Sequence, residues 1–346
     1  AVPWEEYPRP GMRRDSFYCL NGIWKLAVGD GQFDRSIMVP FPPESRLSGV
    51  HEVFPEGTSL TYLREFFRPE GFETGRVLLH FGAVDQMAWV TLNGVRLGKH
   101  VGGYAPFSFD VTDVLQKENV LEVRVEDHLE SHILPYGKQR RDRGGMWYTP
   151  VSGIWQTVWM ERVPDVYIRE LHFSVEEDAV TMELVGPTEG TLRIQTPCAE
   201  VSTRFSGRRV TVPIENPRYW SPEDPYLYKA EIETAQDRVQ SYFAFRKLDT
   251  RTVDGIPRLC LNGKPYFFHG VLDQGYWSDG LWTPAAPQCF EEDILAMKGL
   301  GFNTLRKHIK VEPELFYYAC DRLGMVVFQD MVNNGSYSFL RDTALP

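Results

Sequence analysis

The sequence predicts a multidomain, mainly β protein whose last part changes to alternating strands and helices. At 346 residues the chain is too long for one compact core, so two or three domains are expected. Most of it carries short stretches of alternating apolar and polar residues between turn signals, the pattern of half-buried strands. The stretch 303–330 instead has the pattern strand, helix, strand, which is the repeating unit of an α/β barrel.

Residues 1–163 are predicted to form a two-sheet β-sandwich of the jelly-roll kind. Alternation of apolar and polar residues runs through 76–81, 88–92 and 120–125, and Asn93-Gly94 is a strong signal for a hairpin turn. Short turns between strands, without any helical period, are typical of this architecture.

Residues 164–247 are predicted to form an immunoglobulin-like β-sandwich. About 80 residues of short strands fit that fold, although the sequence lacks the Cys…Trp…Cys core of antibody domains. Strands are expected over 167–173, 180–184, 192–195, 209–212 and 228–233.

Residues 248–346 are predicted to hold the first three βα units of a (β/α)8 TIM barrel. A hairpin turn at Asn262-Gly263 precedes them, and the first strand and helix are expected over 267–272 and 290–300. The second strand begins at Thr304. The third, 325–328, is continuously apolar, as expected of a parallel strand covered on both faces.

Between the last two strands, a helix is expected to start around Pro313 and to end at Gly324. Proline is tolerated in a first turn because its missing N–H has no intrahelical partner, and glycine suits the left-handed conformation of a C-cap. Glu312 and Glu314 are expected in the first turn, where the positive end of the helix dipole favours carboxylates.

Composition limits the partners. A formal net charge of −10 argues against nucleic acid and against an anionic membrane surface, both of which bind basic faces, so a neutral ligand fits better. No run approaches the roughly 18 to 20 apolar residues of a membrane span. The many Trp and Tyr residues suit stacking on sugar rings, but core packing is their usual role, so their number does not decide the function.

The cysteines and the start of the chain bear on cofactors and location. Five widely spaced cysteines without a CxxC pair favour buried free thiols over a disulfide framework or a zinc site. No cofactor or metal is implied. The first residues lack the pattern of a signal peptide, so the expected location is the cytoplasm, or the periplasm or cell exterior if a signal was removed.

Motifs spread over nearly the whole chain resemble those of one enzyme family. The most specific is Gly145-Met146-Trp147-Tyr148 leading into Ser152-Gly153-Ile154-Trp155-Gln156. A second is Asn303, Leu305 and Arg306, followed by Asp321, Gly324 and the apolar run from Met325 to Phe328. The opening carries Arg9-Pro10, Leu20-Asn21-Gly22 and Trp24. Together these motifs resemble glycoside hydrolase family 2, which includes β-galactosidases, β-glucuronidases and β-mannosidases.

The resemblance implies the N-terminal part of a retaining exo-β-glycosidase, β-galactosidase-like in class, that hydrolyses terminal β-linked sugars. In this family both catalytic carboxylates are Glu on barrel strands four and seven. Neither can be assigned in these 346 residues, so the chain alone is expected to be inactive. An open three-stranded sheet would expose apolar faces, so a homo-oligomer or the remainder of the barrel is expected to cover it.

Two alternatives stay open. Where β-galactosidase-type members carry His-Tyr-Pro, this chain has Ile309-Lys310-Val311, which leaves β-mannosidase or β-glucuronidase specificity compatible with the sequence. A non-catalytic carbohydrate-binding or assembly module, made from the two sandwiches, is the second alternative.

Candidate substrate-binding residues follow the three predicted barrel strands, since barrel enzymes carry their chemistry at the carboxyl ends of the strands. Asp273 and Gln274 would hydrogen-bond sugar hydroxyls, and Trp277 or Tyr276 would form a stacking wall; a well-packed turn is the alternative. By the resemblance, Arg306 lies beneath the catalytic carboxylates, and an ion pair with Asp330 is compatible with that role. The full set is Asp273, Gln274, Trp277, Arg306, His308, Asp330 and Asn333, and none of them is assigned as catalytic.

Other charged residues at this end are open to two interpretations. His308 could donate to a hydroxyl or act in acid–base chemistry, or be a buried histidine with satisfied hydrogen bonds. Lys310 is expected to be a solvated charge. The run Arg140-Arg141-Asp142-Arg143 is expected on the solvated surface, although in the family this loop can reach the barrel mouth and contribute to a subsite or an ion site.

Overall fold

The computed structural model describes residues 2–129 and 134–333. In these ranges the chain folds into two antiparallel β-sandwiches, then a small antiparallel sheet, then a parallel sheet with two helices. The prediction of a mainly β protein is confirmed. No helix in the described ranges is both long and apolar enough to cross a membrane.

The first sandwich has a four-stranded sheet, in the order β1-β12-β5-β9, and a six-stranded sheet, in the order β3-β2-β4-β10-β7-β8. A short pair, β11-β6, lies beside them. The strands are β1 (Phe17–Cys19), β2 (Gly22–Val28), β3 (Arg35–Val39), β4 (Ser59–Phe67), β5 (Arg76–Phe81), β6 (Val84–Asp85), β7 (Met87–Leu92), β8 (Val95–Val101), β9 (Phe107–Asp110), β10 (Glu118–Glu126), β11 (Gly153–Ile154) and β12 (Val158–Val163).

Alternation builds the core of this sandwich. On β10, Leu121, Val123 and Val125 are buried while the residues between them turn outward, and together with residues of β5 and β12 they form one apolar cluster between the two sheets. The predicted Asn93-Gly94 turn joins β7 to β8, with both residues at positive φ, as a tight hairpin requires.

The second sandwich packs the sheet β13-β14-β17 against the sheet β16-β15-β18-β19. The strand predicted over 228–233 is confirmed, whereas the one predicted over 167–173 starts three residues later. Two strands, β16 and β19, were not predicted. The strands are β13 (Glu170–Glu176), β14 (Ala179–Val185), β15 (Glu189–Gln195), β16 (Glu200–Ser206), β17 (Arg209–Pro213), β18 (Tyr228–Glu233) and β19 (Arg238–Phe243).

A three-stranded antiparallel sheet follows: β20 (Leu248–Val253), β21 (Ile256–Leu261) and β22 (Lys264–Pro265), with the predicted turn at Asn262-Gly263. The chain then enters the parallel sheet of β23 (Gly270–Asp273), β24 (Thr304–Lys307) and β25 (Val326–Gln329). Helices α1 (Gln288–Gly299) and α2 (Glu314–Leu323) connect these strands.

The two faces of the parallel sheet differ. Val271, Leu305 and Val327 share one face and pack on Phe290 of α1 and Phe316 of α2. The next row in register, Leu272, Arg306 and Phe328, lies on the opposite face and is exposed. Side chains alternate along a strand, so the polar residues that follow each strand divide between a helix-covered side and an open side.

Two sequence expectations about this region need correction. Glu312 is not in the first turn of α2, because the helix begins at Glu314 after an extended Pro313. Lys310 is not a solvated charge, since only 1% of it is exposed. The predicted C-cap is confirmed, because Gly324 ends the helix in the left-handed conformation.

Free thiols are found at all five cysteines, but they differ in burial. Cys260 and Cys320 are buried, while Cys198 is exposed, so the expectation of buried thiols is wrong for Cys198.

Specific contacts fix the parallel sheet on the sandwiches. Asp321 of α2 accepts hydrogen bonds from Tyr242 and Arg246 of the second sandwich region, and its carbonyl accepts one from the Trp220 indole at 2.7 Å. On the other side, the Trp4 indole donates to the Pro284 carbonyl at 2.8 Å. The carboxyl ends of the parallel strands are thereby held next to the first sandwich.

Candidate functional site

Polar side chains collect at the carboxyl ends of β23, β24 and β25. Asp273 is the last residue of β23 and lies in register with Lys307 and Gln329. His308 follows β24 directly, and Asp330 follows β25. The parallel sheet therefore brings together residues that are far apart in sequence, as expected of this edge in an α/β sheet.

A continuous chain of polar contacts crosses the open side of the strand ends. The Arg306 guanidinium pairs with the Asp330 carboxylate, with Nη2 at 3.0 Å and Nε at 3.1 Å from Oδ2. His308 Nε2 lies 3.8 Å from the same Asp330 oxygen. On its other side, the Gln274 amide nitrogen lies 3.0 Å from His308 Nδ1. Four of the predicted site residues are thus linked.

These contacts define the state of His308. Burial lowers its pKa from the ordinary value, and the positive charges of Lys138 and Arg306 lower it further against the opposing effect of Asp330. The ring is therefore neutral at pH 7. Because the Gln274 amide donates to Nδ1, the ring proton sits on Nε2, facing Asp330.

A loop of the first sandwich, residues 136–148, completes the site; we call it the sandwich loop. The Tyr148 hydroxyl donates to the Gln274 side-chain carbonyl, and the Tyr148 ring stacks on Tyr276 with centroids 4.3 Å apart. The Gly137 amide donates to the Asn333 carbonyl at 3.0 Å. The main chain of Asn333 is therefore fixed against this loop. The loop forms one wall of the site.

The charge run in this loop has a different role from the residues on either side of it. Arg140 lies over the Trp147 ring at 4.3 Å, and Arg141 donates to the Phe54 carbonyl at 2.8 Å. Arg141, Asp142 and Arg143 are exposed. Gly137 and Tyr148 of the loop touch the residues at the strand ends, through Asn333 and Gln274. Sequence reasoning did not single out Tyr148 as a site residue, although it stood in the most specific motif.

A buried ionic cluster lies on the helix-covered side of the strand ends. Lys307 Nζ is 2.8 Å from Asp273 Oδ2 and 2.9 Å from Glu312 Oε1, and Lys310 Nζ is 2.9 Å from the same Glu312 oxygen. Burial lowers the pKa of Lys310 to about 8, with Glu312 opposing that effect. For Lys307, burial also favours the neutral amine, but Glu312 and Asp273 outweigh it and raise the pKa.

This cluster anchors the loop after β23. The Lys310 ammonium also donates to the carbonyls of Gly275 and Trp282, at 2.7 and 2.8 Å. These two carbonyls mark both ends of the segment that carries Tyr276 and Trp277. The loop that begins with Gln274 is therefore anchored by a buried lysine on the helix-covered side.

Trp277 lies on the helix-covered side. Its ring meets Phe290 edge-on with centroids 6.1 Å apart, and its main chain pairs with Leu281. It lines a cleft of about 540 Å³ together with Asp273, Gln274 and Tyr148. A separate cleft of about 720 Å³ lies between the second sandwich and α2, away from these residues.

Three carboxylates close to the strand ends each have a cationic partner. Asp273 and Glu312 pair with lysines, and Asp330 pairs with Arg306. A glycosidase-type general acid needs the opposite environment, one that keeps a carboxyl protonated near neutral pH. The described residues offer hydrogen-bond donors, acceptors and aromatic faces, which suit the binding of a polyhydroxylated ligand.

Two family models match adjacent parts of the chain. Residues 52–174 match the model described as "Glycosyl hydrolase 2 galactose-binding domain-like", and residues 166–246 match "Glycosyl hydrolases family 2". Together they cover most of the two sandwiches.

Curated relatives carry the similarity on into the parallel sheet. A β-galactosidase of Thermoanaerobacter pseudethanolicus is 27% identical over 343 residues, which cover 90% of this chain and 44% of that protein. A β-glucuronidase of Bacteroides fragilis is 27% identical over 301 residues, covering 79% of this chain and 43% of that protein. This chain thus spans less than half the length of either relative.

Solved structures share the fold. A β-D-glucuronidase of Dictyoglomus thermophilum superimposes with a TM-score of 0.81 at 19% identity, covering 97% of this chain and 61% of that one. A β-galacturonidase of Eisenbergiella tayi gives 0.73 at 21% identity, covering 93% and 58%. The domain matches, the relatives and the shared fold agree, and this chain belongs to glycoside hydrolase family 2.

Proposed function

We propose that this chain is the N-terminal part of a retaining exo-β-glycosidase, β-galactosidase-like in class, that removes terminal β-linked sugars. In this proposal residues 1–163 are a jelly-roll domain, residues 164–247 an immunoglobulin-like domain, and residues 248–346 the start of the catalytic (β/α)8 barrel. The curated relatives match this chain as far as the parallel sheet, and they are glycosidases, which supports the class.

One observation carries the proposal: the contacts that run from Tyr148 through Gln274, His308 and Asp330 to Arg306. They join the sandwich loop to the carboxyl ends of all three parallel strands, where barrel enzymes carry their chemistry. In this proposal Gln274, Arg306, His308, Asp330 and Asn333 bind the sugar on the open side. Asp273 and Trp277, on the helix-covered side, contribute through the adjoining cleft.

Catalysis requires two further groups. Retaining glycosidases use a pair of carboxyl groups about 5 to 5.5 Å apart, one as nucleophile and the other as acid and then base. The cationic partners of Asp273, Glu312 and Asp330 keep these carboxylates ionised, so none of them suits the general acid. From the family resemblance we infer that both catalytic carboxylates are Glu residues on later strands of the barrel. The 346 residues alone would bind sugar without cleaving it.

A second substrate specificity also has support. The relatives include a β-glucuronidase, and a β-galacturonidase shares the fold, so an acidic sugar is an alternative to a neutral one. The Ile309-Lys310-Val311 departure is compatible with this alternative or with a β-mannosidase. In the structure Lys310 anchors the loop after β23.

The test is a panel of nitrophenyl β-glycosides assayed with the 346-residue chain and with a version extended by the downstream reading frame. We expect hydrolysis only by the extended protein. In it, Arg306→Gln should lower kcat/KM by about 100-fold or more, a magnitude typical of removing a group that stabilises charge in the transition state. Arg209→Gln, which breaks an exposed pair with Glu183, is the matched control and should change little.

Two outcomes would contradict the proposal. Hydrolysis by the 346-residue chain itself would show that its own carboxylates suffice. No hydrolysis of any glycoside by the extended protein would favour a non-catalytic carbohydrate-binding or assembly module.

A further inference from the structure

Asp85 is a buried acidic residue that joins the first sandwich to the sandwich loop. It is the last residue of β6, where it pairs with Gly153 of β11, and only 2% of it is exposed. Its Oδ2 accepts a hydrogen bond from the Gln139 amide nitrogen at 3.0 Å. Its Oδ1 lies so close to Gly103 that any side chain there would collide with it. The carboxyl group is therefore packed against the sandwich and bonded to the loop.

Gln139 makes this contact an anchor for the loop. Its side chain is fully buried, and its Oε1 accepts the Val151 amide at 2.6 Å, so both ends of the side-chain amide are bonded. The main chain of Gln139 pairs with Tyr148, and the neighbouring Arg140 amide donates to the Tyr148 carbonyl at 3.2 Å. A displacement of Gln139 would therefore also displace the main chain of Tyr148.

Tyr148 extends these contacts to the strand ends. Its hydroxyl donates to Gln274, whose amide nitrogen lies 3.0 Å from His308 Nδ1. Tyr148 is 37% exposed, so burial alone holds it weakly, and its orientation depends on the stack with Tyr276 and on the main chain around it. Contacts thus run without a break from the buried carboxyl group of Asp85 to His308.

The surroundings of Asp85 favour its neutral form. Burial raises its pKa well above the ordinary value, and the charges of Asp127 and Glu44 raise it further, against the hydrogen bond from Gln139. A neutral carboxyl group offers one O–H donor and one carbonyl acceptor. An asparagine side chain offers the same two functions in nearly the same shape, so it is the conservative replacement at this position.

We propose that Asp85 is a positioning residue, which acts through Gln139 to hold Tyr148 on Gln274 and so keeps the sugar-binding side of the site assembled. The inference rests on the proposed function and deepens it, because it adds a residue that supports the site from another domain. Binding groups on loops need such support to stay in a productive geometry. Without its acceptor, the buried Gln139 amide would bear the full desolvation penalty of an unpaired donor, so the loop would shift to satisfy it.

Limited proteolysis of the 346-residue chain measures how firmly the loop is held, without reference to activity. Trypsin can cut after Arg143, which is exposed, once the paired main chain around it opens. We expect Asp85→Leu, which cannot accept the Gln139 hydrogen bond, to be cut there about tenfold or more faster than the parent. Asp85→Asn keeps the acceptor and should be cut within about twofold of the parent rate. Val123→Ala removes buried methyl groups elsewhere in the same sandwich, so it is the matched control for general destabilisation and should also stay near the parent rate.

A variant of Gln139 tests whether Asp85 acts through it. Gln139→Met should be cut as fast as Asp85→Leu, and the double variant should be cut no faster than either single one, because both changes remove the same hydrogen bond. Gln139→Met also decides the question if Asp85→Leu does not fold. In the extended protein, each single variant should raise KM by about tenfold and change kcat by less than about threefold, as expected when an interaction that binds the ground state and the transition state alike is lost.

The inference is overturned if Asp85→Leu and Gln139→Met are cut at the parent rate, or if their effects add in the double variant. It is equally overturned if Asp85→Asn or Val123→Ala is cut as fast as Asp85→Leu. An unchanged KM for both single variants in an active extended protein would overturn it as well. If the extended protein cleaves no glycoside, the proposed function fails, while the tryptic rates still decide whether Asp85 holds the loop.

Discussion

Glu312 holds two lysines in the protein interior through a single oxygen. Its Oε1 accepts from both Lys307 and Lys310, while its Oε2 has no partner among the described residues. Removing these charges from water is expensive, and their attraction offsets that cost only while the geometry is complete. The cluster therefore stabilises the fold as a unit, and the loss of its shared carboxylate should leave both lysines without that anionic partner.

We predict that Glu312→Gln destabilises the protein by about 3 to 5 kcal/mol, the cost of leaving a buried ion pair without one partner. Urea unfolding of the 346-residue chain measures it. Glu65→Gln is the control, because Glu65 pairs with Lys25 on the exposed surface, and it should change the free energy of unfolding by less than about 0.5 kcal/mol. Equal, small effects for both substitutions would show that the Glu312 cluster is solvated.

Sequence reasoning could not find this cluster, although it found one of its members, Asp273, and several of the residues around it. Asp273, Gln274, Arg306, His308 and Asp330 could be chosen because polar residues at the ends of parallel strands are informative. Lys310 stands among charged neighbours in sequence, and its burial depends on the carbonyls of Gly275 and Trp282, which come from another loop. Nothing local in the sequence indicates those acceptors.

Among the elements, strands with regular alternation could be predicted and strands without it could not. The strand β18 has buried Tyr228, Ala230 and Ile232 in alternation and was predicted with correct ends. The strand β16 buries only Phe205, so an apolar pattern is missing. In β19 one of the inward positions is Ser241, whose hydroxyl donates to the Gly11 carbonyl, and this polar residue interrupts the pattern.

The end of α2 gives a prediction at this scale. Gly324 and Gly94 have the same φ of 78°, but a Cβ at Gly324 would lie 2.5 Å from the Pro222 carbonyl oxygen, whereas a Cβ at Gly94 would meet nothing within 4 Å. Gly94→Ala should therefore cost about 1 to 2 kcal/mol, the strain of the left-handed conformation alone. Gly324→Ala should cost clearly more, because the helix end must also move away from the second sandwich.

Thermal or urea unfolding of the two glycine variants distinguishes backbone strain at positive φ from a steric clash with Pro222. If both cost the same, the contact between α2 and Pro222 is loose, and the helix is not held in place by the second sandwich. The comparison needs no reference to activity.

In the whole molecule, the site depends on contacts between domains. Tyr148 and Gln274 are separated by 126 residues, and their hydrogen bond joins the first sandwich to the parallel sheet. The sequence predicts each domain by its own pattern, but a pattern within a domain contains no information on which loop of one reaches the strand ends of another. The sandwich loop was accordingly left with two interpretations, and only the packing of the domains distinguishes them.

The two sandwiches are themselves joined by a buried arginine. Arg14 lies 3.4 Å from Glu161 of β12 and 2.7 Å from Asp237, which precedes β19, and all three side chains are less than 5% exposed. Burial acts to raise the pKa of Glu161, but the hydrogen bond from His80 and the charges of Arg9 and Arg14 outweigh it and lower the pKa to about 2. The stability that Glu161 contributes is thus fully present above its ordinary pKa of 4.5 and is lost as the pH falls toward about 2.

We predict that Arg14→Met destabilises the protein by about 3 kcal/mol or more at pH 7, because it leaves two buried carboxylates short of a partner. It should also weaken the acid dependence of stability between pH 4.5 and 2, because one of the charges that holds Glu161 ionised is gone. Urea unfolding at several pH values measures both effects, with Arg76→Met, which breaks an exposed pair with Asp110, as the control. A variant as stable as this control would mean that the other contacts between the sandwiches, such as the paired main chains of Arg13 and Gln240, hold them together without Arg14. The position of the sandwich loop over the strand ends would then not depend on Arg14.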